Sequence, residues 1–398
     1  MEVLVVKIAN IETFLLKVAL GSDRFYSSQC AFPDRSSLLV KITTDSGICG
    51  WGECGQYGPG EPISAAINHV LAPVIMNQFV QPNVLWEKMY AATRDFGQKG
   101  TYIEAISGID IALWDILGKE YKRPICEIIG GKNRDAVTAY ATGCYYRGED
   151  YLNPQKNFSL LEDEARSFVD NGFSIVKMKI GLLSCTDDLK RVEVVRQTIG
   201  NNVKLLIDCN HSYNYFTVKK MCQFLKDYDI GWLEEPVVPE DKKSYALLRQ
   251  NSAVPIAGGE CEYTRYGYQD FLEQGCVDIA QPDICVCGGL SEVQKINVLT
   301  TVHGVMNIPH VWGSAVALAA ALQYVATLPA FPHTAMPVAL QNEPIIEYDQ
   351  NPNPLRDELC NENFILEHNR VAVPQKPGLG ITINEEVLDT YCVAHSEV

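Results

Sequence analysis

The first fifty residues alternate apolar and polar side chains, with turn residues between the alternating stretches. The run Leu38–Ile42, for example, precedes the turn residues Asp45–Gly47. A period of two places the apolar side chains of a strand on one face, and short turns between such strands favour hairpins. This segment therefore predicts a small antiparallel meander.

A helical period follows the meander. Apolar residues recur at three- and four-residue steps from Ile103 to Leu117, and Gly118 predicts the end of this helix. A sheet followed by helices is typical of an α+β unit. We therefore predict an N-terminal α+β domain over residues 1–132.

Short apolar runs alternate with helical stretches after this domain. The runs occupy residues 137–141, 175–180, 203–208, 230–234, 254–257, 277–280 and 305–308. So many successive β/α units favour a closed parallel barrel over an open sheet, and no nucleotide-binding fingerprint follows the first strand. We predict an α/β barrel domain over residues 133–356 and a C-terminal segment, 357–398, that returns to the first domain.

Composition narrows the function classes. The 398 residues contain 33 Lys and Arg against 49 Asp and Glu, which gives a net charge of −16. An acidic surface repels phosphate backbones, so we expect no nucleic-acid partner. Charged residues interrupt the opening stretch, and the longest apolar run, Ala315–Leu322, is too short to cross a bilayer. We expect a cytoplasmic protein without a membrane partner.

The fourteen cysteines are scattered and form no CxxC pair. In a chain of this length they are expected to be small buried hydrophobic residues rather than disulfides or zinc ligands.

Three acidic residues end consecutive apolar runs. Asp208, Glu234 and Glu260 lie at equal intervals, one in each β/α unit. The carboxyl ends of barrel strands open at one mouth, where three carboxylates would repel one another without a cation. Oxygen ligands without His or Cys favour a hard divalent ion such as Mg²⁺. The alternative, three unrelated solvated residues, does not explain the equal spacing.

Basic residues flank these carboxylates along the chain. Lys177 and Lys179 alternate on the preceding strand and so project to one face. Burial and a neighbouring ammonium both lower the pKa of a lysine, and we therefore expect Lys179 to be usable as a base. Asp283 and His310 follow the next two runs, where Asp283 is expected to orient the imidazole of His310. A histidine alone would more often be a core residue.

Glu347 ends the run Pro344–Ile346, the predicted eighth strand. One hypothesis is that Glu347 donates or accepts a hydrogen bond at a substrate carboxylate, opposite the metal. An equally good alternative is a polar residue that closes the strand end.

Together these residues resemble the enolase superfamily and, within it, the mandelate racemase subgroup. The resemblance rests on Lys177-Met178-Lys179, Asp208-Cys209-Asn210, Glu234-Glu235-Pro236, Gly259-Glu260, Gln281-Pro282-Asp283 and Pro309-His310. Flanking motifs at 94–98, 108–115, 237–240, 310–313 and 377–380 are most similar to galactarolactone cycloisomerases. The motif set is specific for the superfamily and much less specific for a substrate.

The resemblance implies a modified TIM (β/α)7β barrel whose active site is covered by lid loops of an α+β capping domain. It assigns Mg²⁺ to the three carboxylates, the base to Lys179 with Lys177 beside it, and a dyad to His310 and Asp283. From the superfamily we also expect a homo-oligomer, either an octamer or a dimer.

Substrate contacts are predicted by the same analogy. Asn210 and His211 follow the first metal ligand, where the alternative is a purely structural turn. Tyr26, Gln56 and Tyr146 lie in loops near the barrel mouth, where aromatic side chains more often serve as lid packing.

The resemblance implies removal of a proton α to the carboxylate of an acid sugar or its lactone. The flanks favour ring opening of galactarolactone, an aldaro-1,4-lactone, to a 3-deoxy-2-keto-hexarate. Dehydration of an acid sugar, and racemisation or epimerisation, remain open because the barrel residues do not separate them. A non-catalytic binding or structural homologue is disfavoured because the set of acids, lysines and histidine is complete.

Overall fold

The computed structural model describes residues 6–55 and 57–398. The N-terminal strands are β1 (Ile8–Ala19), β2 (Phe25–Tyr26), β3 (Ala31–Phe32), β4 (Asp34–Thr44) and β5 (Cys49–Cys54). The helices that follow are α1 (Glu61–Ala66), α2 (Ala72–Ile75), α3 (Pro82–Thr93), α4 (Thr101–Tyr121) and α5 (Ile125–Ile128), with a π-helical turn, Ile67–Leu71, between α1 and α2.

Strands and helices alternate through the middle of the chain. The strands are β6 (Ala136–Gly143), β7 (Tyr146–Arg147), β8 (Ile175–Lys179), β9 (Lys204–Asp208), β10 (Ile230–Glu234), β11 (Ile256–Gly258), β12 (Ile279–Ala280), β13 (Met306–Asn307) and β14 (Ile346–Asp349). The helices are α6 (Pro154–Asp170), α7 (Cys185–Ile199), α8 (Tyr215–Leu225), α9 (Lys242–Asn251), α10 (Thr264–Glu273), α11 (Gly289–Val302) and α12 (Ala315–Val325). The C-terminal elements are α13 (Pro354–Asp357), β15 (Leu366–Glu367), β16 (Arg370–Ala372), α14 (Glu385–Tyr391) and β17 (Cys392–Glu397).

The N-terminal part is built on an antiparallel sheet with the order β17-β1-β4-β5. The predicted meander is present as β1, β4 and β5. The C-terminal strand β17 pairs with β1, with Glu397 opposite Glu12. This pairing brings the end of the chain back to its beginning.

Helix α4 packs against this sheet, and its end differs from the prediction. The helix continues to Tyr121, so the expectation that Gly118 ends it is wrong. A Cβ atom at position 118 would lie 2.5 Å from the Cα of Gly378. Gly118 therefore allows two backbone segments to approach closely, and periodicity alone does not distinguish such a glycine from a helix stop.

Eight parallel strands form the barrel, in the order β13-β12-β11-β10-β9-β8-β6-β14. A single buried apolar cluster takes a residue from each of these strands or from the residue beside it: Tyr140, Ile175, Leu206, Trp232, Ala257, Ile279, Ile308 and Ile345. All eight strands therefore surround one common interior, as predicted for a (β/α)7β barrel.

Buried hydrogen bonds dock the N-terminal domain on the barrel. The indole of Trp86 donates to the carbonyl of Gly288 at 2.7 Å, and the amide of Gly55 donates to the carbonyl of Cys285 at 2.7 Å. Glu53 accepts hydrogen bonds from the amide and the hydroxyl of Ser314, at the start of α12. These contacts place the loops after β1 and β5 beside the carboxyl ends of the barrel strands.

None of the helices in residues 6–55 and 57–398 combines the length and the hydropathy needed to span a bilayer.

We expect the Gly118→Ala substitution to lower the free energy of unfolding by about 1–3 kcal/mol, because its methyl group would overlap the Gly378 backbone. The matched control is Gly267→Ala in α10, where the new methyl group meets only the end of the flexible Glu262 side chain. The midpoints of urea unfolding measure both effects. Equal midpoints for Gly118→Ala and the unmodified protein would contradict the assignment of this close approach.

Candidate active site

Polar side chains lie one step above the apolar layer of the barrel. Most stand two residues after a member of that layer and therefore face inward on the same side of their strand. These residues are Thr142, Lys177, Asp208, Glu234, Gln281, His310 and Glu347. Glu260 stands three residues after Ala257 instead of two. The residue before it, Gly259, has a φ of +118°, in the region that favours glycine. The period of the strands thus gathers the predicted residues at one mouth.

Asp208, Glu234 and Glu260 form a compact group of buried carboxylates. One oxygen from each lies within 4.8 Å of the others. The Oε2 atom of Glu260 is buried and has no hydrogen-bond partner among the described residues. An oxygen-only set with an unsatisfied buried carboxylate oxygen fits a hard divalent cation such as Mg²⁺.

Lys177 pairs both with these carboxylates and with Glu347 on β14. Its Nζ atom lies 2.8 Å from Glu234 Oε1, 2.7 Å from Glu347 Oε1 and 3.6 Å from Asp208 Oδ2. Burial favours the neutral amine, but the surrounding carboxylates outweigh burial and raise the pKa of Lys177 well above its usual range. Lys177 is therefore a fixed positive charge at the centre of the site.

Lys179 forms an ion pair with Asp208 Oδ2, and its ammonium also lies 5.2 Å from the ring centroid of Tyr145. Burial lowers the pKa of Lys179, but the Asp208 carboxylate outweighs burial and the net shift is upward. This direction is opposite to the lowered pKa expected from the sequence. Burial and Lys177 act in the expected direction, but the Asp208 carboxylate directly against the amine outweighs both.

The pKa values of Asp208 and Glu234 are shifted in opposite directions. The lysines outweigh the effect of burial on Asp208 and hold its pKa well below its usual range. For Glu234, burial and then the charge of Asp208 raise the pKa to about 8 although Lys177 is adjacent. Two ammonium groups therefore do not neutralise this cluster, and added positive charge would stabilise its ionised form.

His310 lies on the other side of the carboxylates from the two lysines. Its Nδ1 atom is 2.7 Å from Asp283 Oδ2, and its Nε2 atom is 3.5 Å from Glu260 Oε2. Burial lowers the pKa of His310, but Glu260 and the hydrogen bond to Asp283 outweigh burial and raise it to about 10. The imidazole is thus oriented by Asp283 and favoured in its protonated form.

Glu347 lies within β14 rather than at its end, and both of its oxygens are engaged by the protein. Oε1 accepts a hydrogen bond from Thr142 at 2.6 Å and pairs with Lys177, whereas Oε2 accepts from the amide of Val311 at 3.1 Å. Burial is outweighed by Lys177 and His310, which lower the pKa of Glu347 to about 2. These contacts make Glu347 a partner of Lys177, which the sequence did not predict.

Two of the residues predicted to contact a substrate, Tyr26 and Tyr146, are opposite each other in the antiparallel strands β2 and β7. Tyr146 is buried, and its hydroxyl donates to Asp188 Oδ1 at 2.5 Å. Tyr26 stacks on Tyr151 with ring centroids 3.8 Å apart. These contacts fix both side chains within the protein, and their contact with a substrate stays a prediction. Gln56 lies outside the described residues.

Asn210 and His211 occupy the turn after Asp208. The amide of Asn210 donates to Asp208 Oδ1 at 2.8 Å, and its carbonyl accepts from Ser28 and Gln29 of the N-terminal domain. The side chain of His211 lies instead near Glu235, 3.2 Å from its Oε2 atom. Asn210 therefore joins the Asp208 carboxylate to the loop that follows β1.

Several residues of the site were missed by the sequence analysis. The indole of Trp232 donates to Glu234 Oε2 at 2.9 Å, and Thr142 holds Glu347. The side-chain amide of Gln281 is buried, and neither of its polar atoms has a hydrogen-bond partner among the described residues. Each of these lies at an even spacing from an inward-facing residue on its own strand, and this alternation was the available signal.

A cleft of about 430 Å³ opens between the N-terminal domain and the barrel mouth. Its lining includes Cys30, Arg35, Tyr57 and Trp312. Tyr57 and Trp312 also line a smaller adjoining cavity that reaches His310 and Asp283. The hydroxyl of Tyr57 lies 3.5 Å from Glu260 Oε1. A small molecule that enters this cleft would therefore meet the charged centre beneath a cover of aromatic side chains.

Two protein-family models match the chain on either side of the domain junction. The model described as mandelate racemase / muconate lactonizing enzyme, N-terminal domain, matches residues 10–130. The model described as enolase C-terminal domain-like matches residues 160–387.

Full-length relatives extend these matches. D-galactarolactone cycloisomerase of Agrobacterium fabrum is 40% identical over 388 residues, which cover 97% of this chain and 98% of the relative. Arabinonate dehydratase of Saccharolobus solfataricus is 35% identical over 355 residues, 89% of this chain and 90% of the relative. The crystal structure of the 3,6-anhydro-D-galactonate cycloisomerase from Zobellia galactanivorans has a TM-score of 0.86 and 37% identity, covering 98% and 100% of the two chains. Because these likenesses include the capping sheet and the barrel alike, the chain belongs to the mandelate racemase subgroup of the enolase superfamily.

Proposed function

We propose that this enzyme removes the proton α to the carboxylate of an acid-sugar lactone, with Mg²⁺ held by Asp208, Glu234 and Glu260. The reaction we favour is the ring opening of D-galactarolactone to a 3-deoxy-2-keto-hexarate. The observation that carries the proposal is the placement of the three carboxylates between Lys179 and the His310–Asp283 pair at one barrel mouth. The relative that is 40% identical over nearly the whole chain supports the choice of substrate.

The α-proton of a carboxylate is a weak acid, and a base alone accelerates its removal by only about 10²–10⁴-fold. When bound, Mg²⁺ supplies Lewis-acid stabilisation of the charge that develops on the substrate carboxylate. Lys177, held by Glu234 and Glu347, places a second fixed positive charge in the same buried region. Fixed charges in a site that excludes water stabilise such a transition state without reorganisation.

Lys179 accepts the α-proton in this proposal. In the ion pair with Asp208 its proton is held firmly, because the carboxylate charge is directly opposite the amine. With Mg²⁺ held by Asp208, Glu234 and Glu260, Asp208 would attract that proton less strongly, and Lys179 would then be available as the base.

The leaving group decides between the reactions of this enzyme class. In a 1,4-lactone, cleavage of the β carbon–oxygen bond after proton removal releases a carboxylate, which leaves without a proton. In an open-chain acid sugar, the same cleavage must release water, and the hydroxyl oxygen therefore needs a proton from an acid. In this proposal His310, whose ring is oriented by the contact of Nδ1 with Asp283, supplies that proton.

Dehydration of an open-chain acid sugar is the second candidate function. The protonated form of His310 favours it, and so does the 35% identity to arabinonate dehydratase. Racemisation or epimerisation would require His310 to return a proton to the same carbon.

Metal binding is tested with Glu260→Gln. Mg²⁺ at about 100 times its dissociation constant stabilises a protein by about 2.7 kcal/mol, and we expect Glu260→Gln to lose most of this gain. The matched control, Glu262→Gln, removes a buried carboxylate that pairs with Lys242 instead. Thermal unfolding with and without Mg²⁺ is the measurement. An unchanged response in Glu260→Gln would remove this residue from the ligand set.

Proton removal is tested by exchange of the substrate α-hydrogen in D₂O, followed by NMR. We expect Lys179→Ala to slow exchange by about 10²–10⁴-fold, the usual contribution of a positioned base. On an open-chain acid sugar, we expect His310→Asn to affect exchange less than product formation. Lys204→Ala is the control, since this exposed lysine on β9 pairs with Asp229 outside the site. Exchange that survives unchanged in Lys179→Ala would overturn the assignment of the base.

Substrate class is tested by supplying aldarate 1,4-lactones and the corresponding open-chain acid sugars to the Mg²⁺-loaded enzyme. NMR distinguishes ring opening from loss of water. We expect turnover of D-galactarolactone and little turnover of open-chain acids. The His310→Asn variant should retain more activity on the lactone than on an open-chain acid, because only water loss requires a protonated leaving group. Preferential turnover of open-chain acids would favour the dehydratase.

A further inference from the structure

A second cluster of ligand-type side chains lies on the turns that follow β9, β10 and β11. It consists of His211, Glu235 and Cys261, whose ligand atoms all lie within 4.8 Å of one another. His211 Nε2 is 3.2 Å from Glu235 Oε2 and 3.9 Å from Cys261 Sγ. The proposed reaction uses none of these three side chains.

The carboxylate of Glu235 is the buried member of this cluster. Its side chain is only 1% exposed, yet its Oε2 atom has no hydrogen-bond partner among residues 6–55 and 57–398. The nearby imidazole nitrogen approaches this oxygen without forming a hydrogen bond. A cation between the three side chains would give Glu235 Oε2 the partner that the described residues do not supply.

The donor atoms indicate which cation fits. Nitrogen, oxygen and sulfur ligands at bond lengths of about 2.0–2.3 Å around tetrahedral zinc lie roughly 3.3–3.6 Å from one another. The two measured separations, 3.2 Å and 3.9 Å, are close to this range. A thiolate and an imidazole suit Zn²⁺, whereas Mg²⁺ prefers oxygen ligands. His211 and Cys261 are partly exposed, which leaves access for the ion and for a water molecule as fourth ligand.

We propose that His211, Glu235 and Cys261 bind one Zn²⁺ ion at a site separate from the three Mg²⁺ carboxylates. The ion joins the turns after three successive strands. Each of these turns lies within three residues of Asp208, Glu234 or Glu260, so the ion restrains the spacing of the Mg²⁺ ligands. Cys261 is then a zinc ligand rather than the small hydrophobic residue expected from the sequence.

The test uses the full chain saturated with Mg²⁺ and titrated with Co²⁺, a spectroscopic substitute for Zn²⁺. A thiolate bound to Co²⁺ gives a near-ultraviolet charge-transfer band, which oxygen ligands do not give. We expect one Co²⁺ per chain with this band, and loss of the band on addition of Zn²⁺. Cys261→Ala should abolish the band, whereas Cys185→Ala, which alters another partly exposed cysteine, should retain it.

Two further variants separate this site from the Mg²⁺ site. Asp208→Asn should weaken Mg²⁺ binding and retain the charge-transfer band. Failure of the proposed function and failure of the second metal site would therefore give different results. His211→Ala should weaken Zn²⁺ binding by more than the roughly 10–100-fold loss caused by removing an outer-shell partner. A retained response of thermal unfolding to Mg²⁺ shows that each ligand variant of this cluster is folded. Co²⁺ binding without the band, or a band that persists in Cys261→Ala, would overturn the proposal.

Discussion

Buried negative charge exceeds the positive charge of the lysines at the barrel mouth, and the chemistry of the site depends on this excess. Asp208, Glu234, Glu260 and Glu347 converge there, and Lys177 and Lys179 neutralise only part of their charge. Isolated buried charges are strongly unfavourable, so each ionised group in such a cluster needs a partner or a cation. Burial, and then the neighbouring charge of Asp208, raise the pKa of Glu234 although Lys177 is adjacent. Asp208, Glu234 and Glu260 would hold a divalent cation, whose charge would offset theirs.

The capping domain makes this electrostatic arrangement effective. Glu53 accepts hydrogen bonds at the start of α12, and Ser28 holds the turn after Asp208 through the carbonyl of Cys209 at 2.8 Å. These contacts cover the mouth with the loops after β1 and β5. Excluding water strengthens every interaction between the fixed charges and a developing negative charge. The two domains therefore form one catalytic unit, although all the charged groups assigned to the mechanism come from the barrel.

Membership of the superfamily and choice of reaction rest on different features. The ring of acids, lysines and histidine supports removal of an α-proton, and the relatives include both cycloisomerases and dehydratases. In the proposed mechanism, these reactions differ in the group that leaves from the carbon next to the carbanion, and hence in whether His310 must supply a proton. Fold likeness does not determine that demand, because one fold supports many chemistries through its loops.

The sequence by itself determined the strand period, the barrel and the side of each strand that faces inward, because these depend on local alternation and on regular β/α spacing. It therefore identified Asp208, Glu234, Glu260 and His310 as neighbours. The tertiary structure alone decided that Glu347 pairs with Lys177 and that Gly118 meets Gly378. It also reversed the expected pKa shift of Lys179. Packing partners and pKa values depend on groups distant in sequence, whose separations follow from closure of the barrel rather than from any local pattern.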